Sequence, residues 1–406
     1  MLKKRIFTLL VLFTLFIVLS RALFIFPTIS IPVYYGSILL VGLFFLFNSR
    51  KIRFNIPFIL MLVICLLSIV FNEIPSFFQV ESRFFSFIFL ILLIGPLIFS
   101  ESMNNARIML FDFLGRSFIW ITLISFIGYI LNIPTFMKGG LFNGITQQSM
   151  LMGPIAALSC LFSLHSLLII ENERKWMKVF KVALIVISIL VCLLTGSRSA
   201  AGAAILSGIF YLKIYYQNNL KKFLRVILSL LFAICASMPI WIPYTENVMK
   251  KQEANEKSGG TFSSRETLWE DRIAEFKKSP FIGVGFSVMD TDIARSNYAL
   301  NGTVEPGTSW LFLLSSIGIF GTIIFSILLI SPIWISLNNT QISDSILIVS
   351  ALFFFMIHLF VEGYVLASGS FLFFTLWLFI TLGQKEIREK LSLRRTDFFG
   401  FKNIIS

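Results

Sequence analysis

Apolar runs rich in Phe, Leu and Ile follow one another along this chain, separated by short polar connections. A helix needs about 20 apolar residues to cross the hydrocarbon of a bilayer. On that measure the pattern predicts twelve helical spans, at 6–26, 32–47, 56–71, 84–99, 115–132, 149–170, 180–195, 199–216, 223–243, 308–331, 345–361 and 367–383. Barrel strands would show about 10 residues of alternating character, whereas Phe84–Phe99 and Phe223–Ile242 are continuously apolar. One stretch breaks the rhythm: the chain stays polar from Thr245 to Pro306. The expected fold is all-α and polytopic, with about 12 transmembrane helices and one large external loop containing an amphipathic helix. The expected divisions are a bundle over 1–243, the loop over 244–306, spans ten to twelve over 307–384, and a basic cytoplasmic tail over 385–406.

Within the loop, Ser263-Ser-Arg-Glu266 has the form of a capping box, an N-cap serine with a glutamate three residues on. Leu268, Trp269, Ile273 and Phe276 then predict an apolar face, laid on the membrane or on the bundle, and Ser279-Pro280 ends the helix. Phe281-Ile-Gly-Val-Gly-Phe286 follows a helix rather than a strand and lacks a third glycine, which excludes a dinucleotide-binding fingerprint.

Composition agrees with the pattern. The 406 residues are 57% hydrophobic and 14% charged, where soluble domains carry roughly a quarter charged residues. Cys65, Cys160, Cys192 and Cys235 each fall in an apolar run, so they supply neither a disulfide framework nor zinc-ligand spacing, and they read as core residues. Met1–Arg5 and the apolar run after it resemble the start of a signal peptide, but the run continues past the usual length and reads as an uncleaved first helix.

The formal charge of +13 is mostly topology and calls for no nucleic-acid partner. With a cytoplasmic N-terminus, basic residues gather in the cytoplasmic connections (Arg50, Lys51 and Arg53; Arg107 and Arg116; Arg174, Lys175, Lys178 and Lys181; Lys213, Lys221, Lys222 and Arg225) and in the tail. The opposite connections carry few: 27–31 has none, 72–83 has Arg83 and 133–148 has Lys138. That arrangement places both termini in the cytoplasm and the long loop outside it. The basic tail would also attract anionic membrane lipids.

The sharpest local signal is Leu193-Leu-Thr-Gly-Ser-Arg-Ser-Ala200. Arg198 follows a tight turn on the side where arginine is scarce, and its planar fork suits a diphosphate. The alternative is a charge snorkelling at a helix end. Glu305 would lie at the membrane surface before span ten, either as a solvated carboxylate or as a functional one. Asn143, Gln147 and Gln148 stand on the same side and could bond sugar hydroxyls, as could Thr308 and Trp310 at the loop exit. Arg21 and His358 are ionisable residues within spans. Snorkelling accounts for Arg21, and a structural hydrogen bond for His358, one turn from Glu362.

These segments resemble, in order and spacing, the O-antigen ligase and Wzy-type polymerase family of bacterial surface glycan enzymes. The resemblance rests on Gly196-Ser-Arg-Ser199, on Ser264-Arg-Glu-Thr-Leu-Trp269, on Lys278-Ser-Pro-Phe-Ile-Gly-Val-Gly285, and on the run Ser309–Gly318, and it covers mainly 135–325. It implies transfer of a glycan from an undecaprenyl-diphosphate carrier at the outer face of the bacterial cytoplasmic (inner) membrane, without nucleotide sugar, cofactor or metal. It implies that Arg198 and Arg265 bind the diphosphate, and that flippase and chain-length regulator proteins are partners. One position departs from the pattern: aligned on Trp310 and Gly318, the histidine that ligases carry falls on Gly307. Glu305 is the nearest replacement base. The expected activity is therefore inverting polymerisation of lipid-linked repeat units (O-antigen, capsule or exopolysaccharide). The alternatives are a ligase, a glycolipid transporter or flippase, and a scaffold that docks partners on the loop.

Overall fold

The computed structural model describes residues 2–72, 74–138, 140–170, 173–236, 238–242, 263–293, 307–337 and 343–400. They form a helical membrane protein. The helices are α1 (Leu2–Ser20), α2 (Ile31–Phe47), α3 (Ile56–Val70), α4 (Val80–Ile94), α5 (Glu101–Ile130), α6 (Ser149–Ile169), α7 (Lys175–Leu194), α8 (Arg198–Tyr215), α9 (Leu220–Ala236), α10 (Ser263–Lys278), α11 (Ser309–Leu337), α12 (Ser343–His358) and α13 (Phe371–Gly400). By length and apolar composition, four of them (α5, α6, α7 and α11) can cross a membrane; α1, α2, α3 and α12 contain shorter apolar helices. Among the described residues, extended structure consists of two antiparallel pairs, β1 (Arg53–Phe54) with β2 (Ile98–Phe99) and β3 (Met137–Lys138) with β4 (Leu141–Phe142), and two isolated bridges, Leu23 with Thr146 and Ser76 with Asp290.

α5 begins at Glu101, well before the apolar run that starts at 115, and Arg107 explains the difference. Ser100 caps the helix, its hydroxyl accepting from the Met103 amide at 3.3 Å. One turn on, Arg107 is fully buried and donates to the carbonyls of Leu93 (2.7 Å), Ile98 (2.7 Å) and Gly95 (2.8 Å). The last carbonyls of a helix have no partner within it and carry partial negative charge. Arg107 satisfies those at the end of α4, so a segment that reads as a polar connection is folded as helix.

The core is aromatic. Phe58 and Phe325 meet the Trp377 ring at centroid distances of 5.6 and 5.7 Å, and Phe87 meets Phe286 at 5.1 Å. Phe286 belongs to the polar stretch, yet it is fully buried, so the segment after α10 is pinned into the bundle. The cysteines divide: Cys65 and Cys192 are buried, whereas Cys235 on α9 is exposed.

Candidate active site

The segment after α10 is built into the hydrogen-bond ladder of α11. Gly318 has φ +65° and ψ −171°, a conformation outside any helix and open essentially to glycine alone. An unbroken helix would pair the Ile319 amide with Ser315 and the Phe320 amide with Ser316. Here Ser315 O accepts from Val284 N–H (2.8 Å) and Ser316 O from Gly285 N–H (3.3 Å), while Ile319 and Phe320 donate to Pro280 O (2.9 Å) and Phe281 O (3.3 Å). Contact is backbone to backbone: a Cβ on Gly283 would lie 2.3 Å from Ser316 C, and one on Gly318 2.3 Å from Phe281 C. Asn72, just past α3, ties the same loop down by donating to Gly283 O at 2.8 Å. Gly283 and Gly318 are thus both required by one docking event.

α10 spans Ser263–Lys278, as its capping and stop residues predict. Its buried stripe differs from the prediction. Leu268 is buried, but with Asp271, Arg272 and Glu275, while Ile273 is 41% exposed. The spacing 268, 271, 272, 275 is a helical face, and it is charged because its partners are charged or polar. Arg272 Nη1 pairs with Glu275 Oε2 at 2.7 Å and reaches Val288 O at 3.4 Å. Glu275 Oε1 accepts from the Asp290 amide at 2.9 Å, and the fully buried Asp290 carboxylate pairs with Lys278. Burial lowers the pKa of the Arg272 guanidinium against the pull of Glu275, and it raises Glu275 to about 7.

Arg198 opens α8 after the three-residue turn Thr195–Ser197, in which Gly196 takes φ +65°. Ser197 caps α8, accepting from the Ala200 amide at 3.4 Å. Arg198 itself is exposed. The turn packs on the first turn of α6: a Cβ on Gly153 would lie 2.8 Å from Ser197 Cβ and 3.1 Å from Thr195 Oγ1. The connection leading into α6 carries Asn143, which is 4% exposed, and Gln147, which is exposed. It pairs with the end of α1 through Phe24 N–H to Ile145 O (3.2 Å) and Gln147 N–H to Ala22 O (3.1 Å). Arg198, Gln147 and the end of α1 therefore share the end of the bundle on which α10 sits.

At the start of α11, Thr308 is buried and donates its hydroxyl to Leu359 O (3.2 Å), and Trp310 lies between Phe325 and Phe360 at centroid distances of 5.8 and 5.6 Å. Gly307 has φ +81°, and a Cβ there would meet Leu268 Cβ at 3.0 Å and Trp269 Cδ1 at 3.3 Å. His358 is 1% exposed and holds the Tyr364 hydroxyl at 3.0 Å, the structural bond expected of it. Arg21 lies over the Tyr34 ring at 5.0 Å. Glu305 and the Arg265 side chain lie outside the described residues.

The sequence reading found no reason to single out Arg272, Glu275 or Asp290. It also passed over Arg83, which hydrogen-bonds Ser287 at 2.8 Å on the same end of the bundle. Arg83 did carry a signal, as a basic residue in a connection otherwise poor in them.

No curated protein matches the chain. A family model described as O-antigen ligase matches residues 183–326, a segment that takes in the Arg198 turn, α10, the Pro280–Gly285 loop and the break in α11. Over residues 183–326 this helical membrane protein therefore carries a domain of the O-antigen ligase family.

Proposed function

We propose that the protein is a polymerase that joins undecaprenyl-diphosphate-linked oligosaccharide repeat units at the outer face of the bacterial cytoplasmic membrane. It would cross that membrane twelve times, with both termini cytoplasmic and the long loop periplasmic or extracellular. Family membership of the central segment supports glycan assembly on a lipid carrier. One observation carries the choice of polymerase: the position of the ligase histidine is Gly307, which combines a positive φ with close packing, a Cβ there lying 3.0 Å from Leu268 Cβ. In favour of the ligase reading stands the description of the matching family itself.

A lipid diphosphate is already an activated leaving group. The acceptor hydroxyl attacks the anomeric carbon, the bond from that carbon to the diphosphate oxygen breaks, and the configuration inverts. Arg198 and Arg265 neutralise the departing diphosphate; one such contact is worth on the order of 3 kcal/mol, about a hundredfold in rate. Glu305 accepts the hydroxyl proton. An ordinary glutamate is a weak base for that step, so its role depends on partial burial in the substrate complex. Asn143, Gln147, Thr308 and Trp310 are the proposed glycan-contacting set. An apolar groove of about 500 Å³ along α11, from Leu314 to Ile335, suits the prenyl chain.

The test is Arg198→Ala in the producing cell. Because Arg198 is exposed, its removal should leave the protein expressed, abolish polymer and accumulate single repeat units on the carrier. Polymer of wild-type length in that strain would overturn the reading. Deletion of the protein separates the two family activities: single units on the carrier mean a polymerase, finished polymer on the carrier a ligase.

A further inference from the structure

A cleft of about 440 Å³ opens at the loop end of the bundle, between α2, α4, α11, the segment after α10 and the connection before α13. Among the described residues, its charged lining residue is Arg83, accompanied by Tyr35, Ser86, Ser287 and Ser370, and no carboxylate lines it. Arg83 Nη1 donates to Ser287 Oγ at 2.8 Å, and its guanidinium lies 3.3 Å from the Phe78 ring centroid. Both contacts orient the cation, and neither supplies a counter-charge. Ser287 is 1% exposed with φ +58°, an uncommon conformation for a residue other than glycine, and it is held there by the docked loop.

A second cation stands at the rim. Arg21 Nη1 lies 3.3 Å, and the Tyr35 hydroxyl 2.7 Å, from the point a Cβ on Gly369 would occupy. Glycine at that position keeps the space between them open. The N-termini of α2, α4 and α13 border the same cleft, through Ile31, Ser82 and Ser370, and helix N-termini favour anions. Arginines, hydroxyls and helix N-termini around a space without a carboxylate are the chemistry of a phosphate site.

We propose that this cleft holds the diphosphate of a second lipid-linked glycan, the acceptor. The inference rests on the polymerase reading, because only joining two carrier-linked glycans requires two diphosphates at once. One loses its bond to sugar beside Arg198; the other must be held without being cleaved. The cleft provides for the second, and it abuts the loop that begins beneath α10 through Ser287.

The experiment uses the full-length protein in nanodiscs and counts bound undecaprenyl diphosphate by native mass spectrometry. Wild type should bind two per chain, and Arg83→Ala and Ser86→Asp one each, with affinity at the altered site lowered at least about tenfold. Ser86→Asp leaves Arg83 in place and supplies it with a carboxylate one turn away. In a polymerisation assay both variants should raise KM for the acceptor and leave that for the donor unchanged. Two bound molecules in both variants would overturn the proposal. So would displacement of the second molecule by an equal concentration of phosphatidylglycerol, which would make the cleft a general site for anionic headgroups. Failure of the polymerase reading shows elsewhere, as normal polymer in Arg198→Ala, and leaves the count of bound diphosphates as measured.

Discussion

Val284 donates its amide to Ser315 O at 2.8 Å, in the place that Ile319 would occupy in an unbroken helix. That bond and its three neighbours depend on two glycines. Gly318→Ala puts a Cβ 2.3 Å from the Phe281 backbone at φ +65° and ψ −171°, a combination open essentially to glycine alone. The expected loss is about 2–4 kcal/mol, from backbone strain together with overpacking. Gly140→Ala is the control, since it also has positive φ (+75°) but open space around it; it should cost roughly 1–2 kcal/mol. Thermal midpoints in detergent compare the two, and equal losses would refute the docking account.

The Arg272–Glu275 pair is buried at both ends, at 2% and 0% side-chain exposure. Removing one partner strands the other, at a typical cost of about 3–5 kcal/mol. Arg272→Met alone should therefore destabilise α10 more than Arg272→Met combined with Glu275→Met. Hydrogen exchange over residues 263–293 reads this locally. A double variant no better protected than Arg272→Met would show that the pair is not coupled.

Burial raises Glu275 from the usual range to about 7 in the folded protein. The folded state thus keeps its proton to higher pH than the unfolded chain does. The stability this confers is complete below about pH 4.5 and is lost as pH rises through about 7. Glu275→Gln should remove that part of the dependence, so the difference between the wild-type and variant melting profiles slopes between those limits and is flat above them. A flat difference throughout would place the titration elsewhere.

Arg107 donates three hydrogen bonds, to Leu93 and Gly95 at the end of α4 and to Ile98 in β2. Arg107→Met keeps much of the side-chain volume and leaves those carbonyls without a donor, at about 1–3 kcal/mol each. The variant should melt markedly lower than wild type while polymer length from the protein that remains folded is unchanged. Stability equal to wild type would mean that water or another donor replaces the guanidinium.

Many of the helices were legible as apolar runs, though among the described residues only four reach the length and apolarity of a membrane span. The limits of α10 were legible because Ser263 and Ser279-Pro280 mark a start and a stop locally. The buried face of α10 was not legible. Arg272 is buried because Val288 and Glu275 meet it, and Glu275 because the Asp290 amide does; a charge in a sequence carries no sign of a partner fifteen residues away. Arg107 misled for the same reason, making a helix look like a connection. Arg83 and Arg198 gave the same signal, but only Arg198 stood beside a short glycine turn that drew notice.

The break at Gly318 also bears on the order in which the molecule is made. Two carbonyls and two amides of α11 have no partner in their own helix, and lipid offers none. Their partners lie between Pro280 and Gly285, which leave the ribosome before α11 does. The emerging helix thus meets a strip of chain already waiting for it, and α11 is complete only once that strip has closed on it. A nascent chain halted before Gly318 would hold the Pro280–Gly285 strip before the Ile319 and Phe320 amides exist to bond it.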